Sequence, residues 1–442
     1  MSTATEMNRE VADREHAKPP FLRRVRIRGY KSIEFCDVTL EPLTVLVGRN
    51  ASGKSNFLDA LAFLRDLMNQ GATWAVTEHG GDSAFSRLTT DKAVAFEVQT
   101  EFPSHRTQCR ALYRIELVPT GHRDAEVRHE SLQLVDTTRD IECRFWADRG
   151  NVRWQGLEAF AREFDPQRVG GLPNGAVRSE YPSIFAKYRP DRPLLGVIGH
   201  QPFIDLSGRL QNLECYNFYP PAIRELHRSF GSPVLERDGW NLARAIEGLA
   251  ELDPDGISRI KSYLNAIVDE VVGFEVVQLS DYETIRFRVR AQPFGQPLQL
   301  DAASMSDGTL RVLASLVAAF QLQIPVETGL VAIEEPETAL HPAAMRALVD
   351  ALDEATSRNQ ILLTTHSADM LDNPTIQPEN VRVVQMADGR TEIGPVDAAS
   401  VEIVKRQLNT LGGLERENRL EPDLDDLNRQ RQLAASTAEP LG

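Results

Sequence analysis

The chain has 442 residues, 42% of them hydrophobic and 26% charged, with a formal net charge of −15. Such a composition is ordinary for a globular protein with a large core and about two to three domains. The acidic balance argues against a surface coated for nucleic acid and leaves room only for a local basic groove. Cys36, Cys109, Cys143 and Cys215 are scattered, with no C-x-x-C pair and no histidine at metal-ligand spacing. That argues against a disulfide framework or a zinc site and points to a reducing, cytoplasmic location. No apolar run reaches the about 18 residues of a membrane-spanning helix, and the polar first residues carry no signal-peptide pattern, so no membrane partner is expected.

In chain order, residues 1–20 read as a disordered segment, polar and without periodicity. Residues 21–118 read as the first half of a nucleotide-binding head. Arg23, Arg24, Arg26, Arg28 and Lys31 cluster there. They are a candidate basic groove, but the alternation with Val25 and Ile27 favours the exposed face of an edge strand. A short strand follows at 38–40. Next comes the apolar run 43–47, then Gly48-Arg49-Asn50-Ala51-Ser52-Gly53-Lys54-Ser55-Asn56. The segment fits G-x-x-x-x-G-K-[ST]. After it, Phe57, Leu61, Leu64 and Met68 recur at helical spacing. A glycine turn before a helix is the plainer reading, but strand, glycine loop and helix together make a phosphate cradle. Loop amides and the helix N-terminus would face a triphosphate, Lys54 would reach its β- and γ-phosphates, and Ser55 would hold Mg²⁺.

Residues 93–102 and 108–118 alternate as a hairpin would. Residues 119–300 mix strand-like pieces (142–146, 152–154) with helical ones (157–164, 242–252, 257–271) between Pro and Gly breaks. No heptad pattern persists, so this interval is expected to be a compact α+β insertion. The pattern becomes regular again over 301–400. A helix is expected at 308–323, a buried strand at 329–333 and a helix at 342–355. Another buried strand at 360–365 and a hairpin at 381–385 and 391–393 complete it. The tail, 401–442, is charged from Leu414 onward and is expected to fray.

Three elements of this second half point to the same nucleotide. The strand 329–333 ends in Glu334 and Glu335, a Walker B pattern. One acid would hold the water shell of Mg²⁺, and Glu335 would orient the attacking water. Alone, an acidic strand end before a proline is commonplace; beside a P-loop it is the expected partner. His366 ends the next strand, where a lone histidine is more often structural; after a Walker B unit it reads as a γ-phosphate sensor. Ser306, Asp307 and Gly308 open a helix and make a second anion site.

In this order, P-loop, SDG signature, paired acids and switch histidine resemble the ABC-type ATPase head. Within that superfamily the chain resembles the RecF/SMC/OLD-like branch, most closely its predicted AAA-type ATPases. The likeness is carried by Gly29-Tyr-Lys-Ser-Ile, Gly53-Lys-Ser-Asn-Phe-Leu-Asp-Ala-Leu and Arg237-Asp-Gly-Trp-Asn-Leu, and by Ser306-Asp-Gly-Thr-Leu-Arg, Glu334-Glu-Pro-Glu-Thr-Ala-Leu-His-Pro and Thr365-His-Ser. It spans roughly 21–415 and is loosest in the middle. The resemblance implies an α/β P-loop NTPase, an ABC-ATPase-like head with a central mixed sheet flanked by helices. It implies ATP and Mg²⁺ as ligands, with Lys54 and Ser55 on phosphate and metal, Glu335 as the catalytic glutamate and His366 as the switch histidine. Ser306 and Gly308 would meet the γ-phosphate held by a second subunit, and His341 falls in the D-loop segment. Glu334 stands where aspartate is usual, and its longer arm can still reach metal-bound water. The Q-loop glutamine stays open among Gln99, Gln133 and Gln201.

The expected activity is therefore ATP hydrolysis by a homodimer that closes on ATP, in DNA repair and maintenance or anti-phage defence. The alternative is an ATP-gated scaffold that holds and releases a separate nuclease or toxin without acting on DNA. OLD-like relatives carry a TOPRIM nuclease; about 75 residues follow His366 here and lack its acidic pattern, so a nuclease would be a separate chain. A transporter's ATPase subunit fits less well, given the SDG signature, the paired glutamates and the non-helical insertion.

Overall fold

In a computed structural model, residues 21–85, 92–104, 107–149, 151–156, 189–199, 201–290, 295–321 and 329–436 are described. The expected disorder of residues 1–20 and the helix expected at 157–164 lie outside them. The chain is an α/β protein with a P-loop NTPase architecture: a mixed sheet flanked by helices, with an antiparallel sheet covering the P-loop helix.

The strands are β1 (Leu22–Tyr30), β2 (Ile33–Thr39), β3 (Leu43–Val47), β4 (Val94–Ser104), β5 (Thr107–Gly121), β6 (Asp124–Asp136), β7 (Ile141–Asp148) and β8 (Asn151–Gln155). There follow β9 (Leu213–Tyr216), β10 (His227–Arg228), β11 (Val271–Leu279), β12 (Tyr282–Val289) and β13 (Leu298–Asp301), then β14 (Leu330–Glu334), β15 (Ile361–Thr365), β16 (Val381–Ala387) and β17 (Arg390–Pro395). The six-stranded sheet runs β17-β16-β3-β15-β14-β9. All its pairings are parallel except β16 with β17. Its central strands are buried on both faces, as parallel strands under helices must be. Leu46, Ala332 and Leu362 belong to one core with the P-loop helix Lys54–Gln70. Val45, Val47, Ile333 and Leu363 belong to a second core with the helices Leu242–Leu252, Pro254–Ile267, Asp307–Phe320 and Pro342–Ala355.

The seven-stranded sheet, β2-β1-β4-β5-β6-β7-β8, is antiparallel and closes the other side of the P-loop helix. Its strands alternate cleanly, with Val25, Ile27, Phe96, Val98, Tyr113 and Phe145 turned inward, the pattern of a sheet with one wet face. A smaller antiparallel sheet joins β10, β12, β11 and β13.

Three expectations change. First, β1 is an interior strand, paired with both β2 and β4. Its arginines are held by acids: Arg24 by Asp37, Arg26 by Asp37 and Glu97, and Arg23 by Glu101. Second, the interval 119–300 is not one separate insertion. Its start falls inside β5, its strands β6–β8 extend the sheet begun by β1, and β9 joins the P-loop sheet. Third, the tail is ordered through residue 436. The helix Leu424–Ser436 lies along β2 and β17, where Gln430 accepts from the Asp37 amide (3.0 Å) and donates to the Ile393 carbonyl (2.9 Å). A charged sequence conceals this helix because it buries only a narrow stripe, Leu427 and Gln430.

Candidate active site

Parallel pairing decides where the site lies. The register sets Val47 beside Thr365 and Thr364 beside Glu334, while Ile333 lies beside Tyr216. The carboxyl ends of four neighbouring strands therefore coincide, and the residues just beyond them converge: Gly48, Glu335, His366 and Asn217. Such an edge is where open α/β sheets take ligands.

The P-loop turns through Ala51 (φ 63°) and Gly53 (φ 106°) before the helix begins at Lys54. Gly53 is required twice over, because a Cβ there would also lie 1.9 Å from Thr391 Oγ1. Lys54 Nζ donates to the carbonyls of Gly48 (2.7 Å) and Arg49 (3.2 Å). Burial lowers its pKa, while Glu335 and Glu334 hold the ammonium charge. Ser52 Oγ is buried without a partner among the described residues. An orphaned hydroxyl and a loop of turned amides are what an anion would satisfy, so the loop fits a nucleotide phosphate.

Glu334 is held from two sides. Ser55 Oγ donates to its Oε1 and Asn217 Nδ2 to its Oε2 at 2.8 Å. A hydroxyl, a carboxylate and an amide, which can turn its oxygen inward, form a hard-oxygen set. This fits Mg²⁺, a hard cation that takes oxygen ligands. Behind them is a cavity of about 240 Å³ lined by Lys31, Ser55, Asp59, Asn217, Arg237 and Glu334 among others. Asp59 organises its floor, bonded to Tyr30, Lys31 and His79. Although burial opposes it, these bonds hold the Asp59 carboxyl well below its usual range.

Glu335 sits in the left-handed region at φ 43°, a conformation that costs a non-glycine residue about 1–2 kcal/mol. Two hydrogen bonds hold its amide there, to Thr364 O and Thr364 Oγ1, each 3.1 Å. His366 Nδ1 lies 3.2 Å from Glu335 Oε1. Strain kept at a half-buried carboxylate beside an imidazole is a feature of working sites.

The signature is built elsewhere. Ser306 caps the helix Asp307–Phe320, its Oγ accepting from Thr309 N at 3.2 Å. Gly308 leaves room for the D-loop, since a Cβ would meet Ala339 O at 2.7 Å. Arg224 donates to Met305 O at 2.9 Å and pairs with Asp307. His341 caps the helix Pro342–Ala355, accepting from Ala343 N at 3.3 Å. Ser55, Lys54, Glu334, Glu335 and His366 thus gather at one sheet edge, while Ser306 is bonded to Thr309, Asp307 to Arg224, and Gly308 packs closely against Ala339.

The model matching residues 43–106 and 174–372 is that of the family described as "AAA domain, putative AbiEii toxin, Type IV TA system". The chain belongs to that family. Its motifs and its curated relatives are those of the RecF/SMC/OLD branch, which it resembles. Among curated relatives, it is 21% identical over 369 residues to the Old nuclease of Escherichia phage P2, across 79% of this chain and 57% of the relative. It is 24% identical over 361 residues to the OLD nuclease of Thermus scotoductus (strain ATCC 700910 / SA-01), across 78% and 59%. The chain therefore spans less than two-thirds of either relative. Among solved structures, it aligns with an SMC head bound to the C-winged helix domain of ScpA at 12% identity and TM-score 0.48, across 87% of this chain and 99% of that one. The SMC head domain of Thermotoga maritima aligns at 14% and TM-score 0.38, across 86% and 100%.

The AAA-family motifs alone missed three residues. Asn217 directly follows β9, the strand beside β14, and bonds to Glu334. Gln99 lies on β4 and Gln133 on β6, in the other sheet, and Gln201 precedes the helix Phe203–Gln211. The signal was present in Leu213-Glu-Cys-Tyr216, a strand-like run ending in a polar amide before two prolines. Arg224 is the second. Glu415 is the third: it faces Lys54 and Arg49 from the helix Leu411–Arg416, and burial raises its pKa against those two cations. The Arg237-Asp-Gly-Trp-Asn phrase also acquires a role. Its backbone receives the amides of Asn217 and Tyr219, both at 2.9 Å, and Asn241 staples the turn through Glu236 N and Val234 O.

Proposed function

We propose that the chain binds ATP with Mg²⁺ and hydrolyses it at sites completed by a second copy. What carries this reading is the meeting of Lys54, Ser55, Glu334, Glu335, His366 and Asn217 at one carboxyl edge. Lys54 and the loop amides hold the triphosphate. Ser55, Glu334 and Asn217 would hold Mg²⁺, which would supply positive charge to offset that of the phosphates. Glu335 aligns and polarises the attacking water, and His366 lies beside the γ-phosphate. Catalysis is then positioning and electrostatics rather than covalent chemistry. By the resemblance, Ser306 and Gly308 would meet a nucleotide on the partner, so closure of two copies around two ATP molecules would be the switch.

For the task of that switch we favour DNA repair and maintenance or anti-phage defence, in keeping with the OLD relatives. The second reading is an ATP-gated scaffold for a separately encoded nuclease or toxin. A specific observation favours it: the β1 arginines are paired with acids, which leaves less free charge for phosphate contacts. Among the described residues no helix is long and apolar enough to cross a membrane.

ATP turnover against protein concentration, with and without linear duplex DNA at low salt, separates the readings. A rate per subunit that climbs with concentration and again with DNA supports a dimer acting on DNA. A climb indifferent to DNA moves the reading to the scaffold, and no turnover leaves ATP a ligand only.

A further inference from the structure

The third acid of the Glu334-Glu-Pro-Glu337 run has no part in the reading above, yet it is the buried one. Glu337 is only 4% exposed, and burial raises its pKa. One oxygen, Oε1, accepts the Thr365 hydroxyl proton, while Oε2 has no partner among the described residues. Thr365 is fully buried at the end of β15, immediately before His366. Its hydroxyl also accepts from Ser367 N at 2.9 Å. With that lone pair used, its single proton needs an acceptor, and Glu337 supplies it.

The resulting chain runs Ser367 N–H, Thr365 Oγ1, Glu337 Oε1. It brackets His366 on both sides, by the side chain before it and the amide after it. At its other end Glu337 is locked into the turn that carries Glu335: Thr338 N donates to Glu335 O (3.1 Å) and Leu340 N to Glu337 O (2.9 Å). The Glu335 amide already bonds to Thr364, and the Thr365–Glu337 bond adds a buried side-chain tie between the two loops that present Glu335 and His366. We propose that Glu337 is a positioning residue, setting the separation between Glu335 and His366 through Thr365. It touches neither substrate nor metal in this role, which rests on the hydrolysis reading.

A double-mutant cycle tests it, read as kcat and KM for ATP. Wild-type turnover comes first: a wild-type chain that binds ATP without hydrolysing it overturns the hydrolysis reading and this role with it. With turnover established, Glu337→Ala should lower kcat about as much as His366→Ala and leave KM within about twofold. Residues that act as one unit do not add, so Glu337→Ala should change kcat less than about twofold in a His366→Ala background. Glu337→Gln keeps an acceptor for Thr365 and should recover most of the loss. Thr365→Val removes the same bond, together with the acceptor of Ser367 N, at nearly constant volume and repeats the cycle where Glu337→Ala does not fold. Losses that multiply in the double variant, an unchanged kcat in Glu337→Ala, or a rise in KM without a fall in kcat would each overturn the proposal.

Discussion

Asn217 donates to Glu334 across 2.8 Å, from the end of one parallel strand to the end of its neighbour. Ser55 holds the other oxygen of the same carboxylate. Two partners thus restrain the longer side chain of a glutamate where the resemblance would lead one to expect aspartate, which suits the proposed metal role.

The first prediction concerns that pair. Asn217→Ala should leave the fold intact and raise the Mg²⁺ concentration needed for half-maximal ATP turnover. Loss of an orienting partner typically weakens metal affinity by about 10–100-fold. A Mg²⁺ titration unchanged from wild type would remove Asn217 from the site.

Lys54 and Glu335 should separate binding from chemistry. Lys54→Ala should abolish ATP binding, measured by calorimetry. Glu335→Gln should bind ATP, lose turnover by about 10²–10⁴-fold, and accumulate a dimer visible by light scattering. Normal hydrolysis by the Gln variant would mean that another group aligns the water.

Arg224 is bonded to the segment that carries Ser306 and Gly308. It follows Asn217 by one short helix and holds Met305 O and Asp307. Arg224→Ala should keep ATP affinity and lower turnover at high protein concentration about tenfold, by loosening Ser306 and Gly308. Equal loss at all concentrations would argue for damage within one subunit.

Glu130 gives a pH signature unconnected with catalysis. It is buried in the seven-stranded sheet, accepting from Leu194 N (2.6 Å), Leu195 N (2.9 Å) and Tyr113 OH (3.0 Å). Burial outweighs these bonds and pushes its pKa up to about 7. The folded state then holds a proton that the unfolded chain has already released. Its contribution is complete below the unfolded value of 4.5 and is lost as pH rises toward 7. Between those limits Glu130→Gln should gain stability relative to wild type by up to about 3 kcal/mol, read from denaturant midpoints. A difference that does not vary with pH would show that Glu130 titrates normally.

The phosphate loop was legible because strand, turn and helix are contiguous there, and local rules specify each piece: β-branched residues, a glycine at positive φ, then helical spacing. The paired acids and His366 were legible for the same reason, each standing at the end of an apolar run. Asn217 was not. Nothing near it in the chain is catalytic, and its meaning comes from β9 lying beside β14, residues 213–216 against 330–333. The tail helix was hidden likewise, because its few buried residues find their partners on β2 and β17.

The sequence by itself determined the elements and the chemistry of the loop ends. Alternation of period two or 3.6 and the residue types at turns are properties of short segments. Only the tertiary structure decided which ends meet: that β5 to β8 extend the first sheet, that β9 flanks Walker B, and that Glu337 ties the Glu335 turn to His366. Those outcomes depend on pairings between segments far apart in the chain, and a parallel register sets the height at which each side chain reaches the common edge.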